Sequence, residues 1–485
     1  MKTRRIHASG ALILILSISA FPGVHQDMVS GINIGFAQHT VDLWVGDNPA
    51  NDCNPAFVGD LHEVGCQVVR YHQYARVMAD LSLVDSWTAD VEAGYMEVIK
   101  ISNQSQTDPW ITIPALVPST SYDTWGSNDY LATLGDLLNA HLDPARKVYV
   151  EYSNEVWNNA YEEGGVWDDP GYNGQYTIVR DRGAALGFDD VVAGPAYTVF
   201  AATECWKILE DKLGDERVIN VLAGWQWNEA TVNESSALWA KHTDWGATNG
   251  TLVQGLENDG FTANPQNIEM EAFATNPYFH EFSAEGVQHC ITGTQAGREA
   301  LDRYGYGQVL YVGYEGGQHL YDRGSNYDPQ MYDYYTDWLQ GLEPYLDLNL
   351  HYAFTGQWGS EYFHIKENTG DPLDLVSSQK ARALHDYYGP RTVPVSPRHG
   401  LTPATAASVS VMRGGTILLT LPGAATCTWS ATGLNGTRIP GFSSVQQTTD
   451  GTRVLLHEHG LPTGTYIVDL LVNGTSLRKA VTIAR

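Results

Sequence analysis

From Met28 onward, short apolar runs rich in β-branched and aromatic residues alternate with longer stretches whose apolar positions recur every three to four residues. The runs predict strands at Met28–Gln38, Gly65–Gln73, Trp110–Val117, Val148–Asn154, Arg217–Trp227, Glu271–Phe279, Gln308–Tyr314 and Leu348–Trp358. The intervening spacing predicts helices over Phe57–Val64, Val84–Ser102, Tyr130–Ala140, Tyr197–Lys212 and Met331–Gln340. Eight strand–helix units with apolar strands predict an α/β fold, a (β/α)8 barrel of the TIM type, over residues 27–392. That region exceeds the roughly 250 residues usual for such a barrel. The surplus falls at Asn159–Tyr197 and Glu229–Met270, where loops rich in Gly, Asn and Trp are expected to wall the barrel mouth.

Both ends of the chain break this rhythm. Pro390, Pro394 and Pro397 punctuate a linker, after which Thr, Gly and Val dominate. Short alternating runs at Thr416–Leu421, Arg453–Leu456 and Tyr466–Val472 predict a small all-β sandwich over residues 393–485. At the other end, Lys2, Arg4 and Arg5 precede the apolar run Ala11–Phe21, which Pro22-Gly23 closes. This is the shape of a secretory signal peptide, residues 1–26, with cleavage between Ala20 and Gln26. No other run is long enough to span a bilayer. The expected location is therefore secreted or at the cell surface.

Composition narrows the partners. Of 485 residues, 56 are Asp or Glu and 28 are Lys or Arg, a net charge of −28. Seven basic and three acidic residues follow Ser396, which leaves 21 basic against 53 acidic before it. So acidic a surface excludes nucleic acid and anionic membranes as partners. It suits a neutral or cationic polysaccharide, or a saline habitat. Fourteen Trp and 27 Tyr supply flat faces of the kind that sugar sites use. Cys53 and Cys66 are close enough in sequence to pair in an oxidising compartment. No cysteine has metal-ligand spacing, and neither a metal nor a cofactor is expected.

Candidate chemistry gathers at strand ends. The run Val148-Tyr-Val-Glu151-Tyr-Ser-Asn154-Glu155-Val-Trp157 delivers a carboxylate at the tip of the fourth strand, and Gln308–His319 delivers Glu315 at the seventh. Paired strand-tip glutamates suit glycoside hydrolysis. Arg70, near the end of the second strand, either pairs with Glu151 inside the barrel or reaches the site. His72 shares its face. Tyr278 and His280 on the sixth strand, Trp157, His319 beside Gln318, and Trp358 on the eighth are candidates for substrate contact. Gly316-Gly317 is expected to let substrate approach the backbone. Trp225-Gln-Trp-Asn-Glu229 also ends a strand in Asn-Glu, but one unit too late, so Glu229 is read as a rim residue. There is no Gly-x-Ser-x-Gly elbow, phosphate-binding Gly-rich loop or His-Glu-x-x-His.

The order of Asn154-Glu155 on the fourth strand, Glu315 on the seventh and Trp358 on the eighth resembles clan A of the retaining glycoside hydrolases, the cellulase and mannanase group. The run Glu151-Tyr-Ser-Asn154-Glu155 is similar to that clan's Glu-x-x-Asn-Glu strand, and Val156-Trp157 departs from its frequent Asn-Glu-Pro. The resemblance implies that Glu155 is the general acid/base and Glu315 the nucleophile, with Asn154 bonding the sugar 2-OH. It further implies that Arg70 and Tyr278 hold the nucleophile and that Trp358 forms a platform beneath the sugar. The ending Leu461-Pro-Thr-Gly-Thr-Tyr466, with its later Arg478-Lys479, resembles the C-terminal sorting domain of the type IX secretion system, which implies attachment at the outer surface. An ancillary β-domain of a secreted hydrolase fits the same residues. A non-catalytic, carbohydrate-binding barrel is the alternative to an enzyme.

Overall fold

The structure, a computed structural model, describes residues 28–34, 43–71, 84–157, 175–224, 252, 256, 263–320, 323–355 and 363–390, and strand backbone between 408 and 483. The chain divides into two compact units, Met1–Val393 and Pro394–Arg485.

In the first unit eight parallel strands close on themselves. They are β1 (Val29–Asn33), β2 (Val68–Tyr71), β3 (Asp108–Ile113), β4 (Val148–Tyr152), β5 (Val218–Ala223), β6 (Ala272–Thr275), β7 (Leu310–Gln318) and β8 (Leu348–Tyr352). Each pairs with the next, and β8 returns to β1 through Val29↔Leu348 to Asn33↔Tyr352. The predicted (β/α)8 barrel is therefore the observed fold. Every strand that the apolar pattern predicts is present, and β7 runs on past the predicted Tyr314 to Gln318.

The helices are α1 (Pro55–Glu63), α2 (Ala89–Ser105), α3 (Asp129–His141), α4 (Gln175–Ala185), α5 (Asp190–Leu213), α6 (Ala284–Arg303), α7 (Arg323–Tyr327), α8 (Gln330–Leu342) and α9 (Gln379–Tyr388). Capping sets several starts. The side chains of Thr88, Asn128 and Ser283 accept from the backbone N–H three residues on, at Val91, Leu131 and Gly286. Thr88 is why α2 begins at Ala89 rather than at the predicted Val84.

The surplus after β4 is a correction. Of the stretch Asn159–Tyr197, read as loop, residues 175–185 and 190–197 are helical. Gly183 lets α4 lie against the Ala193 backbone of α5, with no room for a side chain. Two indole N–H groups tie helices to site-bearing backbone: Trp206 of α5 donates to the Val150 carbonyl at 3.0 Å, and Trp338 of α8 to the Pro277 carbonyl at 3.2 Å. Cys53 and Cys66 do not pair. Both are buried thiols outside any disulfide, and Cys66 donates to the Val68 carbonyl at 3.3 Å. No helix among the described residues is long and apolar enough to cross a membrane.

The second unit contains two four-stranded antiparallel sheets. Their strands are β9 (Ser408–Met412), β10 (Thr416–Leu421), β11 (Cys427–Gly433), β12 (Arg438–Ile439), β13 (Ser443–Thr448), β14 (Gly451–Leu456), β15 (Gly464–Val472) and β16 (Thr475–Ile483). One sheet runs β9-β10-β14-β13, the other β12-β11-β15-β16.

Candidate active site

The site begins with a buried cation. Arg70 lies at the end of β2, fully enclosed by the barrel. Its Nε donates to Glu151 Oε2 at 2.9 Å, and Nη2 lies 2.8 Å from the same oxygen. Nη2 also donates to Asn154 Oδ1 at 2.7 Å, and Nη1 stands 3.5 Å from Glu315 Oε1. Both readings of Arg70 thus hold together. It is paired within the barrel and also faces the seventh strand's carboxylate. The Trp110 indole donates to Glu151 Oε2 at 2.8 Å, which fixes the anchor that holds the guanidinium. Burial works against the charge on Arg70, but Glu151 and Glu315 outweigh it and keep the group above its usual value.

Glu315 is 8% exposed at the mouth end of β7. Its Oε2 accepts the Tyr278 hydroxyl at 2.8 Å. Tyr278 is in place because Tyr278–Phe279 forms a two-residue strand paired with Gly317 and Gln318, immediately beyond the glutamate. Burial, and then the charge of Glu155, push the Glu315 carboxyl up to about 8, against the pull of Arg70 and the Tyr278 hydroxyl. The Tyr314 hydroxyl, on the residue directly before Glu315, reaches Glu155 Oε1 at 2.7 Å, which brings the two glutamates to one site.

Glu155 follows β4 on a turn with unusual backbone. Ser153 and Glu155 have φ of 55° and 47°, the left-handed region that costs a non-glycine residue roughly 1 kcal/mol. The turn leaves Glu155 partly exposed, with Oε1 accepting the Tyr314 hydroxyl at 2.7 Å. It also folds Trp157 back into the core, 4% exposed and edge-on to Tyr314. Trp157, a candidate for substrate contact, is thus largely enclosed.

Tyr314 is the residue that the sequence reading missed. Strict strand alternation would turn it away from Glu315, on the opposite face. Between Gly313 and Gly316, however, β7 advances three residues while β8 advances two, from Asn349 to His351. This bulge lets neighbouring residues face the same mouth. The two flanking glycines were its only sequence signal. Gly316 and Gly317 have a different use from the one expected. A side chain at Gly316 would meet Pro277 at 2.9 Å, and one at Gly317 (φ 126°) would meet the Tyr335 hydroxyl at 2.7 Å. Their missing side chains make room for protein.

Beyond Tyr278 the mouth is lined by aromatic rings. His319 stacks on Phe363 with centroids 4.9 Å apart and planes at 11°. It stands 4.9 Å from both Tyr278 and His280. Its backbone N–H donates to the Phe279 carbonyl at 2.9 Å, and burial pushes its imidazole down to about 3, so it is neutral at ordinary pH. His280 is exposed. The structure therefore brings together Glu155, Glu315, Asn154, Arg70 and Tyr278, with His280 and His319 beside them. His72, Trp358 and the rim residue Glu229 lie outside the described residues.

No family model matches the chain, and no curated protein matches it. Among solved structures it is similar to a modular endo-β-1,4-mannanase from Cellulomonas fimi, at 10% identity over 94% of each chain with a TM-score of 0.39. It is similar too to a β-glucosidase from Thermotoga maritima in complex with castanospermine, at 12% identity and a TM-score of 0.46, over 76% of this chain and 99% of that one. A family 1 β-glucosidase from the same organism, in complex with isofagomine lactam, gives 11% identity and 0.47 over the same shares. The barrel rests on its own strand pairings, and its chemistry on its own side chains.

Proposed function

We propose that this chain is an exported retaining glycoside hydrolase that cleaves a polysaccharide by double displacement. The observation that carries the reading is the unequal surroundings of two carboxyl groups at one barrel mouth. Glu315 receives the Tyr278 hydroxyl at 2.8 Å and faces Arg70 at 3.5 Å, groups that favour its anion. Glu155 stands close enough to raise it, so the pair keeps a proton into mildly alkaline solution. One ionised and one protonated carboxyl are what a retaining mechanism needs.

Glu315 attacks the anomeric carbon. The bond to the departing oxygen breaks with its electron pair, and that oxygen takes the proton of Glu155. Glu155 then removes a proton from water, which attacks the same carbon and releases Glu315 as carboxylate. Asn154, its Oδ1 held by Arg70, presents Nδ2 to the sugar 2-OH. The signal-like N-terminus and the Leu-Pro-Thr-Gly-Thr-Tyr ending support export and attachment at the outer surface through the C-terminal unit.

The test is turnover on a panel of neutral and cationic polysaccharides, read as new reducing ends, with the first-formed anomer identified by NMR. Retention of configuration is expected. Glu315→Ala is expected to abolish turnover, and Glu155→Ala to lower it about 10²- to 10⁴-fold. Full activity in both variants would refute the assignment. Glycan binding by the wild-type chain without product would favour a binding barrel instead.

A further inference from the structure

We propose that Tyr314 is a positioning residue that fixes which oxygen of Glu155 carries the transferable proton. The inference rests on the hydrolase reading above and deepens it. Tyr314 donates to Glu155 Oε1 at 2.7 Å, so Oε1 is occupied as an acceptor and the carboxylic proton belongs on Oε2. The bulge in β7 aims the phenol there from the residue directly before Glu315. One two-residue segment thereby sets both carboxyl groups, Glu315 by its own backbone and Glu155 through its neighbour's hydroxyl.

The surroundings keep the phenol in this role. The Arg70 guanidinium carbon lies 4.8 Å from the centre of the Tyr314 ring, a cation–π contact that steadies it from the β2 side. Trp157 closes the other approach at 6.1 Å, edge to face. Burial, and then the charges of Glu155 and Glu315, hold the phenol well above its ordinary range, so it remains a donor. The titratable and charged groups in play are Glu151 and Glu155 from the β4 end, Glu315 and Tyr314 on β7, and Arg70 on β2.

Tyr314→Phe keeps the ring and its contacts and removes only the hydroxyl. A carboxyl free to turn delivers its proton poorly, and that matters only where the departing oxygen needs one. The assay uses dinitrophenyl and phenyl glycosides of whichever sugar the polysaccharide panel identifies. The variant is expected to lose about 10- to 100-fold in kcat/KM on the phenyl glycoside, the size of one hydrogen bond to a charged group, and to change little on the dinitrophenyl glycoside. The alkaline limb of kcat/KM on the phenyl glycoside, which reports the last proton of the pair, is expected to move to higher pH, because a hydrogen bond to the pair's ionised form is gone. Tyr278→Phe, which strips the other carboxyl, is the contrast and is expected to lower both substrates alike. Both readouts are a ratio and a curve shape, so a variant that folds only in part still reports. An unchanged ratio and limb in an otherwise active Tyr314→Phe protein would overturn the proposal. A wild-type chain with no turnover on any glycoside would overturn instead the reading beneath it.

Discussion

At Glu315 two opposed demands meet in one side chain. The fold buries it, which favours the neutral acid, while Arg70 and Tyr278 favour the anion. Its value of about 8 belongs to the pair that it forms with Glu155, since the two share one electrostatic site. Above that pH the pair gives up its last proton and nothing remains to protonate a departing oxygen. We therefore expect kcat/KM to hold up to about pH 8 and to fall beyond it; a pH–rate profile on an unactivated substrate checks this, and an alkaline collapse already complete by about pH 6 would contradict it. The same shift has a consequence for stability. The proton that the pair holds up to about 8 is one that the unfolded chain gives up above about 4.5. Its stabilising contribution is complete below about 4.5 and is lost as pH rises through about 8. Glu315→Gln stays neutral throughout, so we expect it to melt above the wild type at pH 9 and to gain little at pH 4.5. Thermal unfolding at the two pH values measures the difference, and a gain confined to the acid side would have the wrong sign.

Among the elements, what could be read from sequence divides along the period of the pattern. All eight barrel strands were legible, because a strand buried on both faces is a bare apolar run that turn residues close off. Arg70, Asn154, Glu155, Tyr278 and Glu315 were legible with them, because each sits at a strand end that the run itself marks. The Tyr314 hydroxyl was not, since a bulge overrides alternation and only the paired strand reveals the extra residue. Of the α4–α5 hairpin, only Tyr197–Lys212 was legible. Its first helix contains Gly183 and three consecutive charged residues, Arg180, Asp181 and Arg182, which give no clear apolar stripe. Tertiary contacts hold it in place. Arg182 donates to the Ala115, Leu116 and Pro118 carbonyls at 3.1–3.3 Å, and Tyr197 donates to the Ser119 carbonyl at 3.0 Å. Ser119 in turn donates through both N–H and hydroxyl to Glu204, at 2.6 and 2.5 Å. This helical buttress pins the segment that leaves β3 at the barrel mouth. Arg182→Ala is expected to cost about 1–3 kcal/mol through stranded carbonyls. Gly183→Ala is expected to cost about as much, because its new methyl runs into the Ala193 carbonyl. Denaturant unfolding of the two variants tests the buttress, and wild-type midpoints in both would show that the hairpin carries no load there.

Across the whole molecule the dominant physical fact is charge. Before Ser396 the chain carries 53 acidic and 21 basic residues, so acidic side chains far outnumber the basic ones that could offset them. The buried ion pairs are local and well shielded. Arg70 with Glu151, and Lys366 with Asp60 at 2.7 Å, have cations with no exposure. Added salt reaches such pairs weakly but screens surface repulsion strongly, as the Debye length shortens from about 30 Å at 0.01 M to about 3 Å at 1 M. Compaction of so acidic a surface works against its own field, so relieving that field favours the folded state. We expect the melting temperature to rise steadily from 0.01 M to about 1 M sodium chloride, with most of the gain in the first few tenths molar, where screening changes fastest. Sodium chloride is the right probe, because sulfate would also strengthen apolar burial and mix the two causes. A neutral osmolyte at matched osmolarity separates screening from exclusion: it raises stability through burial but leaves the repulsion in place. A melting temperature that is flat or falling in sodium chloride would mean that the acidic side chains are already neutralised by contacts within the fold, and the surface would then lose its claim to exclude anionic partners.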